Sequence, residues 1–151
     1  MPGRTILFVE DNEDYQELIR LAFDSCEIEH NLVVVQSAME ALDYLLGNGR
    51  YSERNLEELP ALIILDLNLP LINGPEVLQS IRANPLTRFL PVVVMSSSSE
   101  PEDIRTSYLF GCNSYIPKPL DFTQLQNFAR EIILYWLNIN QIPPVFGVVD
   151  E

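Results

Sequence analysis

Positive charge is scarce in this sequence: 9 Lys and Arg stand against 22 Asp and Glu, a formal net charge of −13. Such a surface repels phosphate backbones and anionic lipid headgroups alike, so neither nucleic acid nor a membrane is an expected partner. Cysteine is nearly absent. Cys26 and Cys112 lie far apart, neither with a Cys or His at metal-ligand spacing, which argues against a thiolate metal site and suits reduced thiols in a cytoplasmic protein. The single histidine, His30, stands between Glu29 and Asn31 with no apolar setting and is assigned no chemistry. Long apolar runs are missing as well. Ile6 to Val9 meets Glu10 and Asp11, and Ile132 to Leu137 lies between Glu131 and Asn138, so neither resembles a signal-peptide core or a membrane span.

What is present is enough for one core. A chain of 151 residues at 47% hydrophobic composition supports a single globular unit better than two; that unit is expected over residues 4–138, with 139–151 as a tail. Short aliphatic runs alternate with stretches of helical periodicity, five of each, the pattern of a doubly wound α/β fold with a parallel sheet. Strands are expected at Thr5 to Val9, Leu32 to Val35, Leu62 to Leu65, Pro91 to Met95 and Ser114 to Ile116. Most are apolar throughout, as strands covered on both faces are.

Between them, Tyr15, Leu18, Ile19, Ala22 and Phe23 mark one face of a first helix. A capping box at Ser37-Ala38-Met39-Glu40 opens a second. Gly74-Pro75 opens a third, Ser99-Glu100-Pro101-Glu102 a fourth, and Asp121 a fifth with Phe122, Leu125, Ala129, Ile132, Ile133 and Trp136 on its stripe. The polar stretch Gly47 to Leu59 is long for a helix–strand connection and reads as an elaborated surface loop or a partly mobile one. Phe128, Leu134, Tyr135 and Ile139 fall outside the fifth stripe. A helix apolar nearly all round is buried on more than one side, which points to a homodimer or target surface, or to cover by Val145, Phe146, Val148 and Val149 of the tail.

The polar residues that interrupt this frame share one location. Glu10 and Asp11 follow the first strand, Asp66 and Ser96 close the third and fourth, and Lys118 comes just after the fifth. Carboxyl ends of strands form the ligand crevice of an open α/β sheet. Carboxylates converging there need protons or a cation, and hard oxygen donors suit Mg²⁺. Phosphoryl transfer uses the whole set. Asp66 is the candidate nucleophile and phosphoacceptor. Asp11 is a direct metal ligand, Glu10 a supporting one, and the backbone carbonyl of Asn68 a further candidate. Lys118 is a compact charge for a phosphate oxygen, and the Ser96 hydroxyl is a donor to another.

Each residue alone has an ordinary reading. Asp66 could cap the turn that follows it, Glu10 and Asp11 could be a solvated helix start, and Ser96 belongs to a four-serine run whose register could slip to Ser97. Lys118 alone would be a surface lysine, and Tyr115 within a strand would usually be packing.

Val9-Glu10-Asp11-Asn12, Leu65 to Pro70 with Gly74, Pro91 to Ser97, and Tyr115-Ile116-Pro117-Lys118-Pro119, in that order, resemble the receiver domain of bacterial response regulators from about Arg4 to Trp136. The second loop, Val92 to Ser98, Asn113-Ser114-Tyr115 and the Tyr135-Trp136-Leu137 ending look most similar to the phytochrome-coupled single-domain members. The resemblance implies a flavodoxin-like sheet of order 2-1-3-4-5 with five flanking helices. It also implies phosphorylation of Asp66 by a histidine kinase of a two-component system, with a phytochrome-type photoreceptor kinase as one candidate. Further implications are a cis bond between Lys118 and Pro119, reorientation of Ser96 and Tyr115 as a switch, and a separate protein target. Glu10 stands where many members carry aspartate, and Ser96 where threonine is commonest; both keep the functional group.

The expected function is therefore a signalling switch and not an enzyme. A dehalogenase-type phosphatase would need a second aspartate where Asn68 stands. A flavodoxin-type carrier would need a phosphate loop where Glu10-Asp11-Asn12-Glu13 stands, which would repel a flavin phosphate. The remaining alternative is a degenerate receiver that binds partners without phosphate.

Overall fold

The computed structural model describes residues 4–67 and 74–143. Five parallel strands form one sheet: β1 (Thr5–Val9), β2 (Asn31–Val35), β3 (Leu62–Asp66), β4 (Val92–Ser96) and β5 (Ser114–Pro117). Their order across the sheet is β2-β1-β3-β4-β5. Helices α1 (Glu13–Asp24), α2 (Ala38–Leu46), α3 (Gly74–Ala83), α4 (Pro101–Leu109) and α5 (Phe122–Ile133) connect and flank them. Among the described residues no helix is long and apolar enough to cross a membrane.

Alternation along each strand divides the core into two layers. Leu7, Val9, Ile63, Leu65, Val92 and Val94 face α2 and α3, where they meet Ala41, Leu45, Val77, Leu78 and Ile81. Ile6, Phe8, Leu62, Ile64, Val93 and Met95 face α1 and α5, where they meet Ile19, Ala22, Phe23, Leu125, Ala129 and Ile133. Burial on both faces is why the three central strands, β1, β3 and β4, read as nearly unbroken apolar runs. The Cα register pairs Asp66 with Met95 and Ser96 with Pro117, which brings the ends of β3, β4 and β5 to one edge.

Helix starts follow the caps. Asn12, Ser37 and Asp121 each accept from the N–H three residues on. The box at α2 closes one residue early, since Glu40 accepts from the Gln36 N–H at 3.0 Å. The face of α1 is rotated from expectation. Leu18 is 39% exposed and Gln16 is buried, because the Gln16 amide donates to the Glu10 carbonyl at 2.6 Å.

The stretch from Gly47 to Leu59 is an elaborated loop pinned to α2. Gly47 ends α2 at φ 73°, a conformation that favours glycine, and a 3-10 turn follows at Gly49–Tyr51. Arg54 then donates to the Tyr44, Leu45 and Glu58 carbonyls at 2.7, 3.2 and 2.9 Å, and its guanidinium lies 4.4 Å from the Tyr44 ring centre.

Beyond α5 the helix widens into a π-helical segment, Leu134–Ile139. The wider turn moves the buried position from Trp136, which is half-buried, to Leu137. Arg4 donates to the Leu137 carbonyl at 3.2 Å and so ties this end to β1. Phe128 is half-buried against the α1/α5 layer, whereas Leu134, Tyr135 and Ile139 are exposed. The tail residues Val145, Phe146, Val148 and Val149 lie outside the described residues.

Candidate functional site

The strand ends place the polar residues. Glu10 extends β1 by one bond, its N–H donating to the Val35 carbonyl at 2.9 Å, and Lys118 extends β5 by donating its N–H to the Ser96 carbonyl at 2.9 Å. Between these anchors lies a charged cluster. Lys118 Nζ sits 3.0 Å from Asp66 Oδ2 and 3.3 Å from Glu10 Oε1. Glu10 and Asp66 are buried, Lys118 is partly so, and Asp11 is exposed at the rim. One carboxylate oxygen each from Glu10, Asp11 and Asp66 lies within 4.8 Å of the others. Asn68, expected to offer a carbonyl here, lies outside the described residues.

One lysine faces this much negative charge in a largely buried cluster, and the electrostatics show the imbalance. Burial, and then the charge of Asp66, push the Glu10 carboxyl up to about 7, against the pull of the Asn12 N–H and of Lys118. Burial opposes the charge on Lys118, but the hydrogen bond and charge of Asp66 and the charge of Glu10 outweigh it and raise the pKa. Glu10 Oε2 accepts from the Asn12 N–H at 3.2 Å. Oε1 is buried and has the Lys118 ion pair but no hydrogen bond. Two carboxylates at this spacing repel by about 3 kcal/mol at an effective dielectric near 20. A buried carboxylate oxygen with an ion pair but no hydrogen bond, within an all-oxygen donor set that Asp11 opens to solvent, fits a hard divalent cation such as Mg²⁺.

Ser96 and Tyr115 lie on the neighbouring β4–α4 side. Ser96 is buried, and its Oγ accepts from the Ser98 N–H at 3.1 Å. Tyr115 is half-buried, packs against the α2/α3 layer and donates its hydroxyl to the Ser98 carbonyl at 2.8 Å. The aromatic is both packed and tied to the loop that follows Ser96. The bond between Lys118 and Pro119 is trans, as are all those described, contrary to the cis isomer expected there; trans is the form X–Pro bonds favour by about 0.5–1 kcal/mol.

Three contributors carry no signal in the sequence. The Tyr15 ring lies 4.4 Å from Lys118 Nζ and its hydroxyl donates to the Pro119 carbonyl at 3.4 Å. Burial, then Glu10 and Asp66, push that phenol up to about 12. Gln16 holds the backbone of Glu10, and Ser98 holds Ser96 and Tyr115. A helical Tyr or Gln and one serine in a run of four look ordinary until the fold brings them to the strand ends.

Residues 6–130 match the family model described as the response regulator receiver domain. The chain is 38% identical to the probable methanogenesis regulatory protein FilR2 of Methanothrix harundinacea, covering 91% of this chain and 86% of that protein. It is 32% identical to the response regulator Rcp1 of Synechocystis, covering 94% and 95%. The crystal structure of the Mn²⁺-bound form of Rcp1 superposes with a TM-score of 0.80 over 93% of this chain and 99% of that one. The crystal structure of the phosphorylated cyanobacterial phytochrome response regulator RcpA superposes with a TM-score of 0.83 at 38% identity, covering 93% and 98%. With the strand order, the carboxylate cluster and the lysine all in place, the chain belongs to the response regulator receiver domain family.

Proposed function

We propose that this protein is a receiver of the phytochrome-coupled kind in which Asp66 accepts a phosphoryl group from a histidine kinase. The carrying observation is Asp66 itself, buried at the end of β3 with Lys118 Nζ at 3.0 Å and two more carboxylates beside it. An Asp66 oxygen attacks the phosphorus, the bond to the donor breaks, and the donor leaves with the electron pair. Lys118 stays paired to Asp66 and is placed to take a phosphoryl oxygen. Ser96 has one lone pair engaged by Ser98, which leaves its proton to donate. Glu10, Asp11, Asp66 and the Asn68 carbonyl would hold Mg²⁺, which when bound neutralises charge on the phosphoryl oxygens. Ser96 and Tyr115 then carry the change to the α4–β5 surface. The cluster of Glu10, Asp11, Asp66 and Lys118 at the strand ends supports this reading over the phosphate-independent alternative.

Similarity to RcpA and Rcp1 supports a photoreceptor-type kinase as donor. The readout is a protein contact made in the cytoplasm by the receiver at 4–138, with 139–151 as its tail. Leu134, Tyr135 and Ile139, 43%, 47% and 59% exposed within the π-helical segment, support pairing with a second copy or docking of a target there. Intact mass after exposure to acetyl phosphate and Mg²⁺ tests the acceptor: wild type gains one phosphoryl group and Asp66→Asn gains none. Equal labelling of both would overturn the assignment. Sedimentation of wild type and Tyr135→Glu tests the pairing, which a monomer at every concentration, with and without phosphodonor, refutes.

A further inference from the structure

Lys118 is the only lysine in the chain, and its backbone is well fixed. Its N–H donates to the Ser96 carbonyl at 2.9 Å, and the following Pro119 restricts it to extended forms. Its head is not fixed in the same way, because an ammonium on a flexible stem takes its position from what surrounds it. On one side stand Asp66 Oδ2 at 3.0 Å and Glu10 Oε1 at 3.3 Å. The centre of the Tyr15 ring lies 4.4 Å from the same nitrogen, within the range in which an aromatic face attracts a cation. That ring is itself held. Asn12 Oδ1, the cap of α1, accepts from the Tyr15 N–H at 2.8 Å, the ring packs against the α1/α5 layer, and its hydroxyl reaches the Pro119 carbonyl at 3.4 Å. Tyr15 thus spans from the start of α1 to the loop after β5, and the Lys118 side chain, 24% exposed, is confined between ring and carboxylates.

Resting on the phosphoacceptor reading above, we propose that Tyr15 is a positioning residue for phosphoryl transfer: the face of its ring holds the Lys118 ammonium beside Asp66, where it meets a phosphoryl oxygen. The carboxylates alone do not secure that position. Glu10 and Asp66 are also candidate ligands of Mg²⁺, and a cation drawn to their oxygens competes with the lysine for them. The ring face carries no charge and is no metal donor, so its hold on the ammonium does not depend on how the carboxylates are shared. Without the ring the stem regains rotamers and the head regains water, and the lysine must be gathered again for each transfer. The face matters more than the hydroxyl, because the attraction comes from the π-system and a 3.4 Å contact is a long hydrogen bond.

The test compares wild type, Tyr15→Phe and Tyr15→Leu, with Tyr15→Leu also placed in a Lys118→Ala background. Leucine keeps apolar bulk against the α1/α5 layer without an aromatic face; should that variant not fold, Tyr15→Met stands in for it. Protein grown on ¹³C-lysine gives the NMR signal of Lys118 alone, since the chain has no other lysine. Its ε-protons are expected upfield of free lysine in wild type and Tyr15→Phe, with and without Mg²⁺, and near the free-lysine position in Tyr15→Leu. Labelling by acetyl phosphate with Mg²⁺ is expected within about two-fold of wild type in Tyr15→Phe and about five-fold slower in Tyr15→Leu. Adding Tyr15→Leu to Lys118→Ala is expected to slow labelling no further, because the ring acts through the lysine. The proposal is overturned, with the acceptor left in place, by any of four results: wild-type labelling in Tyr15→Leu, a Lys118 signal that does not move in it, Tyr15→Phe as slow as Tyr15→Leu, or the same slowing in the Lys118→Ala background. If wild type itself gains no phosphoryl group, the phosphoacceptor reading falls and this proposal falls with it.

Discussion

Replacing Glu10 with glutamine should make the metal-free protein more stable at neutral pH, and the size of the gain follows from the site. The Glu10 side chain is 1% exposed, so solvent does little to screen it. Burial and the neighbouring Asp66 raise its pKa from 4.5 to about 7. At 1.36 kcal/mol per pH unit, that difference is worth about 3 kcal/mol. The folded state binds this proton more tightly than the unfolded state does. Stability from the group is therefore fully present below pH 4.5, declines as pH rises through the window, and is lost above about 7, where both states are ionised. Glutamine keeps an acceptor for the Asn12 N–H but carries no charge, so the variant lacks this slope. Urea unfolding in EDTA across pH 4 to 8 measures it, and subtracting wild type from Glu10→Gln cancels the other titrating acids. The difference should grow by about 3 kcal/mol toward pH 8. Mg²⁺ should return stability to wild type at pH 8 and much less to the variant. A difference curve that stays flat with pH would refute the reasoning.

Lys118 competes with the cation for the same carboxylates, so Lys118→Ala should bind Mg²⁺ about five-fold more tightly by calorimetry, while its labelling by acetyl phosphate falls by at least ten-fold. Asp11 is exposed at the rim; Asp11→Ala should leave the unfolding free energy of metal-free protein within about 0.5 kcal/mol of wild type and remove most of the Mg²⁺ binding heat. Arg54→Ala loses the bonds to three carbonyls and the Tyr44 stacking. It should cost about 2 kcal/mol and speed amide hydrogen exchange selectively between residues 47 and 59.

Much of the architecture was legible because strands buried on both faces and amphipathic helices leave different periods in a chain. Ser37, Pro101 and Asp121 marked helix starts because capping is local chemistry, decided within four residues. Errors arose where a distant group chose the outcome. Leu18 lost its core position to Gln16 because a carbonyl at the end of β1 needed a donor. Trp136 lost its position to Leu137 because the π-helical turn shifted the register, with the Asn140 N–H donating to the Tyr135 carbonyl at 2.7 Å.

The sequence by itself determined the fold class and singled out Glu10, Asp11, Asp66, Ser96 and Lys118 at the strand ends as the candidate site, because polar residues that break apolar runs are conspicuous against them. It also determined that their charges needed a counter-ion. Only the tertiary structure decided how that charge is shared: Lys118 bridges Glu10 and Asp66, and Tyr15 covers the lysine from α1. Only the structure singled out Ser98 from its run of serines. Hydrogen bonds between side chains far apart in the chain depend on distances and angles that no residue pattern encodes, and they exist only once two packed layers have brought the strand ends together.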